Sequence, residues 1–387
     1  MKTRLSRFSA SYRLTASFTG TFAAALFAGA ILAALSAYAG QNGDSANRTP
    51  WAMTGELEHP RYSFPATTLM DGRVLVEGGQ AFSGTLKSSE IFDPVSKTWG
   101  PTGKMLKERQ SHTATLLADG RVLVAGGVDH AGTALALAEI YDPTSGQWTA
   151  TGNMGAARAG HVATALQDGR VLVVGGTDDN SVVSAEIYDP ASGTWTATAG
   201  VGMPVSYSTL TLLPDGRVLL AGGVSDNFIL ATALLYDPAT GMWQPTGSLN
   251  RARYAATATL LENGQVLIAG GNGVGSIIAS AELYDPATGA WTSTGNLRDP
   301  RYYHTATRLL DGSVVVTGGT GLLRGRLRST EVYAPATGQW QIDGSLNLGV
   351  DLHAAALLQD GEIVVAGGRF QNGPRFDIVS VSQIGPP

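Results

Sequence analysis

Arginine and glutamate recur at fixed positions along this sequence and offer paired charges. Each arginine of this set lies 17 residues before a Gly-Gly pair, and each glutamate lies a little beyond the same pair. The set comprises Arg61, Arg109, Arg158, Arg253 and Arg301, and Glu90, Glu139, Glu186, Glu282 and Glu331. Both types are missing together at Val205 and Leu234. A ring of arginines could bind an anion, but this joint loss favours structural ion pairs, in which each group satisfies the other where burial would otherwise be costly.

Tyrosines and two arginine-rich segments are the candidates for ligand binding. Tyr62, Tyr254 and Tyr302 each directly follow an arginine of the set. Tyrosine beside arginine suits sugars or carboxylates, although strand-end packing is an equal alternative. Residues 322–328 and 369–375 supply Arg324, Arg326, Arg328, Arg369 and Arg375. These segments predict a positive patch for a carboxylate-bearing glycan or an acidic protein surface, with solvated loop charge as the alternative.

Four histidines could be mistaken for a metal site. They lie 14 residues before their Gly-Gly pairs, at His112, His161, His304 and His353. They occupy one equivalent position in different repeats, with no acidic partner at ligand spacing, so packing is the favoured interpretation. The chain has no cysteine, which excludes disulfides and thiolate metal sites. No hydrolase, phosphate-binding or dinucleotide motif is present, so we expect no metal and no cofactor.

Composition and charge limit the classes of partner. The 387 residues are 43% apolar and 15% charged, with a formal net charge of −5. This composition supplies ample core for a folded chain, and its mild acidity argues against nucleic acid as a partner. A monomer that binds a protein or a glycan is expected.

The N-terminal residues have the features of a targeting segment. Basic residues at positions 2, 4, 7 and 13 precede an apolar stretch over residues 21–36, and Ala37-Tyr38-Ala39 follows. We interpret residues 1–39 as a signal peptide and residues 40–50 as a polar linker. The protein is then exported, to the periplasm, the medium or the cell surface. An uncleaved membrane anchor is the alternative, because the uncharged stretch is long enough to span a bilayer.

The elements that must position these residues are seven repeats over residues 51–387. Gly-Gly pairs begin at Gly78, Gly126, Gly175, Gly222, Gly270, Gly318 and Gly367. Tryptophans keep the same period, at Trp51, Trp99, Trp148, Trp195, Trp243, Trp291 and Trp340. Each repeat reads as four short strands, the first two joined by a two-residue Asp-Gly or Asn-Gly turn with positive φ angles. Repeated four-stranded sheets indicate a β-propeller.

The offset between the two series predicts how the ring closes. Trp51 precedes the first Gly-Gly pair, and no tryptophan follows Gly367-Gly368. The strand at Trp51 should therefore complete the last blade and leave no exposed sheet edge. The Asp-Gly turns repeat their chemistry on one face, whereas the loops after each Gly-Gly pair vary on the other, where ligands usually bind.

The pattern resembles the Kelch repeat, in which a double glycine is followed by a tyrosine and then a tryptophan. Phe92 in place of tyrosine and Ala334 in place of aspartate are among the few departures. The resemblance implies an all-β, seven-bladed Kelch propeller with four-stranded antiparallel blades. Our main expectation is a protein- or carbohydrate-binding module and not an enzyme. The alternative is a sugar-processing enzyme similar to sialic acid mutarotase or galactose oxidase, whose copper-radical form is disfavoured because it needs a cysteine.

Overall fold

The computed structural model describes residues 51–177, 182–322, 325–372 and 375–385. The predicted signal peptide and linker lie outside these residues, as does the segment 178–181. Within the described ranges, no helix is long and apolar enough to cross a membrane.

Seven four-stranded antiparallel sheets form the blades, and each strand pairs with its neighbours in the order of the sheet. Blade 1 has strands Ala66–Thr68, Val74–Glu77, Ser89–Asp93 and Thr98–Pro101. Blade 2 has Thr113–Leu116, Val122–Ala125, Ala138–Asp142 and Gln147–Ala150. Blade 3 has Val162–Ala165, Val171–Val174, Ala185–Asp189 and Thr194–Thr198. Blade 4 has Thr209–Leu212, Val218–Ala221, Ala233–Asp237 and Met242–Pro245.

The remaining blades follow the same plan. Blade 5 has strands Thr257–Leu260, Val266–Ala269, Ala281–Asp285 and Ala290–Ser293. Blade 6 has Thr305–Arg308, Val314–Thr317, Ser329–Ala334 and Gln339–Ser345. Blade 7 has Ala354–Leu357, Ile363–Ala366, Val381–Gly385 and, from the N-terminal end, Ala52–Glu56. Shorter strands lie in the loops, at Gln80–Ala81, Gly84–Thr85, Val224–Ser225, Phe228–Ile229, Val350–Asp351, Arg369–Asn372 and Arg375–Ile378.

The N-terminal strand completes blade 7. Ala52 pairs with Ile384 and Met53 pairs with Gln383. Gly385 occupies the place of the tyrosine that other blades carry, and a Cβ on it would lie 2.6 Å from the Trp51 ring. The tryptophan therefore packs directly on backbone, which explains why this repeat has no tyrosine. The innermost strands contact one another in sequence around a closed ring, and the all-β propeller class is confirmed.

The core lies between neighbouring blades. The second strand of every blade is buried along its whole length, because both faces of a central propeller strand pack against other sheets. Outer strands add tyrosine–tryptophan contacts such as Tyr141 with Trp148, whose ring centroids are 5.1 Å apart. Trp148 Nε1 also donates to the Gly103 carbonyl of the preceding blade at 2.9 Å. Trp148 therefore packs its own blade and fastens it to the preceding one.

The Gly-Gly pairs lie where the backbones of neighbouring blades contact each other. Gly126 has a φ of +66°, and a Cβ there would lie 2.5 Å from the Arg158 carbonyl oxygen of the following blade. The Gly127 N–H donates to that same oxygen at 2.8 Å. Glycine is needed because the neighbouring backbone approaches too closely for any side chain.

The hairpin turns differ from the two-residue type that the sequence predicts. The Gly72 N–H donates to the Leu69 carbonyl, and the Leu69 N–H donates to the Arg73 carbonyl, so three residues lie between the paired ends. Only the glycine has a positive φ, at 87°. This is a type I turn followed by a glycine bulge. Asp71 stabilises it by accepting from the Arg73 N–H at 3.1 Å.

Candidate functional site

A closed ring of backbone hydrogen bonds surrounds the propeller axis, at the end of the blades opposite the Asp-Gly turns. One residue of each blade, two positions beyond the set arginine or its replacement, has a left-handed φ between 50° and 61°. These residues are Ser63, Ser111, Gly160, Tyr207, Ala255, Tyr303 and Leu352. Each N–H donates to the carbonyl of its counterpart in the preceding blade, at 2.9 to 3.3 Å. We call these seven residues the axial belt.

The axial belt lines a cavity of about 460 Å³. This volume falls within the range of small-molecule sites, which are roughly 300–1,000 Å³. The belt residues of blades 1 to 3 are small, and two of them, Ser63 and Ser111, carry hydroxyls. Those of blades 4 to 7 include Tyr207 and Tyr303. The belt therefore carries its hydroxyls in blades 1 and 2 and its aromatic rings in blades 4 and 6. Phe64 and the four repeat histidines also line the cavity.

Tyr207 and Tyr303 are the functional candidates that the sequence analysis missed. A bulky residue with φ near +50° is a conformational outlier, and such strain concentrates at functional sites. The Tyr207 ring lies 6.4 Å from that of Tyr303 and 6.5 Å from that of Tyr254. Burial raises the pKa of Tyr207 and of Tyr303, so both remain neutral phenols near pH 7. The sequence signal that could have identified these two tyrosines is their equivalent position in the repeat, two residues beyond Val205 and Arg301.

The three tyrosines predicted to bind ligand lie one position before the belt. Tyr302 packs on Tyr303 with ring centroids 4.8 Å apart. The Tyr254 hydroxyl accepts from Asn272 Nδ2 at 2.8 Å. Tyr62 lies instead beneath the Arg369 guanidinium, whose carbon is 5.5 Å from the ring centroid. Two of the predicted tyrosines thus support the aromatic half of the wall, and the third belongs to an ionic cluster.

That ionic cluster centres on Asp351, which is fully buried. Arg369 donates to it from Nε and Nη2, both at 2.9 Å. Arg326 Nε lies 3.1 Å from the same carboxylate, and Thr320 Oγ1 donates to it at 2.5 Å. A carboxylate in contact with two guanidinia is held firmly, because both of its oxygens have charged or hydroxyl donors.

The predicted positive patch consists only partly of solvent-exposed arginines. Arg326 is not a solvated loop residue, since its side chain is 5% exposed against Asp351. Arg328 Nε donates to the Leu346 carbonyl at 2.8 Å and is half-buried. Arg369 keeps 26% of its side chain exposed. Arg324 and the side chain of Arg375 lie outside the described residues.

The arginines and glutamates of the repeating set are brought together within each blade. The shortest N–O distance is 2.6 Å in all five pairs, and each arginine side chain is fully buried. In blade 5, for example, Arg253 Nη1 donates to the Gly270 carbonyl at 2.8 Å. Glu282 also accepts from the backbone N–H groups of Asn250 and Arg251. These arginines and glutamates stabilise the blades and do not line the cavity.

The two blades without a pair replace it differently. In blade 4, Val205 and Leu234 pack in an apolar cluster. In blade 7, Val350 is buried, and Gln383 takes the glutamate position and accepts from the Asn347 and Leu348 N–H groups. In blade 7 this position therefore still serves the backbone, although its arginine is absent.

The four histidines are buried against the preceding blade. His161, His304 and His353 each lie 3.0 Å from a threonine hydroxyl. His112 faces Glu77 instead, at 3.6 Å. Burial lowers the pKa of every one of these histidines. Across the described ranges, no group of three or more histidine, aspartate or glutamate side chains could hold a metal ion.

Glu77 is a departure that the sequence analysis did not identify. Other blades have alanine, valine or threonine at this second-strand position. The Glu77 side chain is fully buried, and neither carboxylate oxygen has a hydrogen-bond partner among the described residues. Burial raises the pKa of this carboxyl to about 8, despite the nearby charges of Arg61 and Arg109. Glu77 is therefore protonated at neutral pH, beside a neutral His112.

Comparison with known proteins agrees with this architecture. The Kelch motif matches residues 111–155 and 158–200. No curated protein sequence matches the chain significantly. Among solved structures, a fungal alcohol oxidase in complex with copper is 20% identical to this chain, with a TM-score of 0.73. The match covers 88% of this chain and 77% of the oxidase chain. A protein named YjhT is 15% identical, with a TM-score of 0.59, over 74% of this chain and 98% of its own.

The expectation that the protein is not an enzyme was wrong, because this fold is not specific to binding proteins. The alcohol oxidase is a catalyst on the same scaffold, so a Kelch propeller of this shape does not argue for binding alone. The described residues of this chain offer no cluster of three histidine, aspartate or glutamate side chains that could hold a copper ion, and the sequence has no cysteine.

Two features of the chain, the matched motifs and the four-stranded blades arranged about an axis, agree on one assignment. The double glycines, the tyrosine–tryptophan contacts and the hairpin turns recur in register from blade to blade. Similarity to the two solved structures supports the fold and leaves substrate and reaction open. This chain is a β-propeller that carries Kelch motifs at residues 111–155 and 158–200.

Proposed function

We propose that this protein is an exported enzyme that binds a monosaccharide-sized sugar in the axial cavity and interconverts its anomers. The observation that carries the proposal is the divided wall of the cavity. Tyr207 and Tyr303 supply aromatic surface on one side, and Ser63 and Ser111 supply hydroxyls on the other. A sugar ring has an apolar face and polar edges, so it matches a site with a few polar groups set against aromatic walls.

Anomer interconversion is the sugar chemistry that this site can support with its own residues. The ring C–O bond breaks while the anomeric hydroxyl loses a proton and the ring oxygen gains one, and closure on the other face reverses these transfers. Because the pKa values of Tyr207 and Tyr303 are raised, these phenols donate hydrogen bonds and do not act as bases. A neutral phenol can polarise the ring oxygen, and cavity water can carry the anomeric proton.

A carboxylate-bearing sugar is the favoured substrate class. The Asp351 carboxylate is contacted by both Arg326 and Arg369, so cationic groups outnumber the anionic group within this cluster. Arg369 is the more exposed of the two and stacks on Tyr62 near the belt. A substrate carboxylate beside Arg369 would gain attraction that weakens as salt rises.

The experiment is a panel of neutral and carboxylated monosaccharides offered to residues 40–387. Saturation-transfer NMR measures binding, and exchange spectroscopy measures the rate at which the anomers interconvert. Tyr303→Ala should lower both by about tenfold or more, the equivalent of about 1.4 kcal/mol. Arg121→Ser is the matched control, because Arg121 lies on the turn face, paired with Asp119 at 2.7 Å.

Three outcomes are informative. Loss in Tyr303→Ala with normal behaviour of Arg121→Ser supports the site. Binding without faster interconversion overturns the proposed reaction. Failure of every sugar to bind, or loss only in Arg121→Ser, overturns the axial cavity as a sugar site.

A further inference from the structure

Gly160 is the one glycine of the axial belt, and its backbone does not require glycine. Its φ is +61°, and the six other belt positions hold the same left-handed conformation with serine, tyrosine, alanine or leucine. The hydrogen-bonded ring imposes that conformation on whichever residue is present. The absence of a side chain at position 160 therefore has a cause outside its own backbone.

That cause is the ring of Tyr207, the belt residue of the next blade. A Cβ on Gly160 would lie 3.3 Å from Tyr207 Cζ, 3.5 Å from Cε1 and 3.6 Å from the hydroxyl oxygen. The Tyr207 ring thus points from blade 4 back across the belt toward blade 3. Tyr254 and Tyr303 lie on its other sides, at 6.5 and 6.4 Å between ring centroids. Gly160 provides the space in which the ring rests.

Tyr207 also stands at the boundary between cavity and solvent. It lines the axial cavity, yet 42% of the residue is exposed. A side chain in this position can contact both a molecule inside the cavity and one that approaches from the loop side. A Cβ at position 160 would require this ring to shift by a few tenths of an ångström, so the position of the ring depends on glycine there.

We propose that Tyr207, seated over Gly160, is the size-selecting side chain of the axial cavity and restricts entry to single sugar rings. Single rings pass the aromatic edge and stack within the wall, whereas longer glycans are stopped at the Tyr207 ring. Size selection at the cavity mouth applies to any ligand. That the selected ligand is a sugar rests on the function proposed above.

The first test is independent of any sugar and uses the absence of cysteine from the chain. Ala255→Cys places a single thiol on the cavity wall, beside the Tyr207 position in the belt. The rates of its reaction with a small methanethiosulfonate and with a bulky fluorescein maleimide are then compared. Adding Tyr207→Ser should raise the bulky reagent's rate by about tenfold relative to the small one. Serine is the native belt residue of blades 1 and 2, so the backbone can accept it.

Two further variants make the geometry decisive. Gly160→Ser should also favour the bulky reagent, because it displaces the ring, and combining it with Tyr207→Ser should add nothing. Tyr62→Ser is the control tyrosine, since Tyr62 does not line the cavity, and should leave the ratio unchanged. An unaltered ratio in Tyr207→Ser, or an equal change in Tyr62→Ser, would overturn size selection by Tyr207.

The second test compares a monosaccharide with its linear trisaccharide by saturation-transfer NMR. Tyr207→Ser should admit the trisaccharide at least about tenfold more tightly than the parent protein does. If the thiol ratios change as expected but no sugar binds the parent, the size filter stands and the proposed substrate is wrong. If sugars bind but the parent and Tyr207→Ser show the same preference for length, the filter is wrong and the sugar site stands.

Discussion

The buried pair of blade 5 and the Asp351 cluster of blade 7 use the same chemical groups for different ends. Arg253 and Glu282 are 2.6 Å apart with side chains 0% and 2% exposed, and four other blades repeat the arrangement. Asp351 instead holds Arg369, which keeps 26% of its side chain exposed and lies within electrostatic reach of the belt residue Tyr303. Repetition marks the groups that close every blade, and departure from the repeat marks the groups that give the cavity its individual character.

The largest expected effect lies in the repeated pairs. Glu282→Ala leaves Arg253 buried without its carboxylate, and we expect a loss of about 3–5 kcal/mol in the free energy of unfolding. Urea denaturation measures it. The double variant Arg253→Val with Glu282→Leu copies the residues of blade 4 at Val205 and Leu234.

That double variant should recover most of the lost stability, because a packed apolar pair needs no charge partner. If the double variant is as unstable as the single one, the pair contributes more than mutual satisfaction, and blade 4 is not a valid template for the others.

Glu77 is a second departure from the repeat, and it sharpens the comparison with the buried pairs. It is buried, but it has no ion-pair partner at hydrogen-bonding distance. Its folded pKa of about 8 is above the unfolded value of roughly 4.3. Between these values the unfolded chain releases a proton that the folded chain keeps, so stability falls as pH rises. The histidines, whose folded pKa values are lowered, add stability as pH rises to about 6.5. The Glu77 decline should therefore stand alone from about pH 6.5 to 8.

Its expected size is on the order of 1.4 kcal/mol per pH unit, or ~2 kcal/mol across that window. Denaturation at a series of pH values should show the decline in the parent and a flat profile in Glu77→Gln. Glu77→Thr is the matched control, since blade 6 has Thr317 at this position, and should also be flat. A slope that persists in both variants would show that another group titrates there.

The smallest effect on stability is expected at Arg369, where the comparison predicts a functional change instead. Arg369→Gln should cost about 1 kcal/mol or less, because its ion pair is partly exposed and Arg326 still contacts Asp351. Binding of a carboxylated sugar should weaken several-fold and lose part of its dependence on salt. Calorimetry at low and high salt measures both. A large loss of stability with unchanged binding would assign Arg369 to the scaffold.

Sequence reasoning reached the blades because the relevant signals are local. Gly126, Tyr141 and Trp148 each recur with the repeat, and the strands between them are short and apolar. It failed on the hairpin turn at Asp71-Gly72, because two-residue and three-residue loops share that dipeptide and differ only in strand register. It also placed Arg326, in a loop of blade 6, on the surface, since the residue that buries it, Asp351, is 25 positions away and leads into blade 7.

The amino-acid sequence by itself determined the repeat, the four-stranded blades and the identity of the residues at each equivalent position. Only the tertiary structure decided which of those positions meet at the axis. Ser63, Tyr207 and Leu352 share no preference for the left-handed conformation, and each adopts it because its N–H must reach a carbonyl of the preceding blade. That hydrogen bond exists only once the ring has closed, so no window of local sequence contains it. The cavity, its tyrosine wall and the space over Gly160 all follow from that closure.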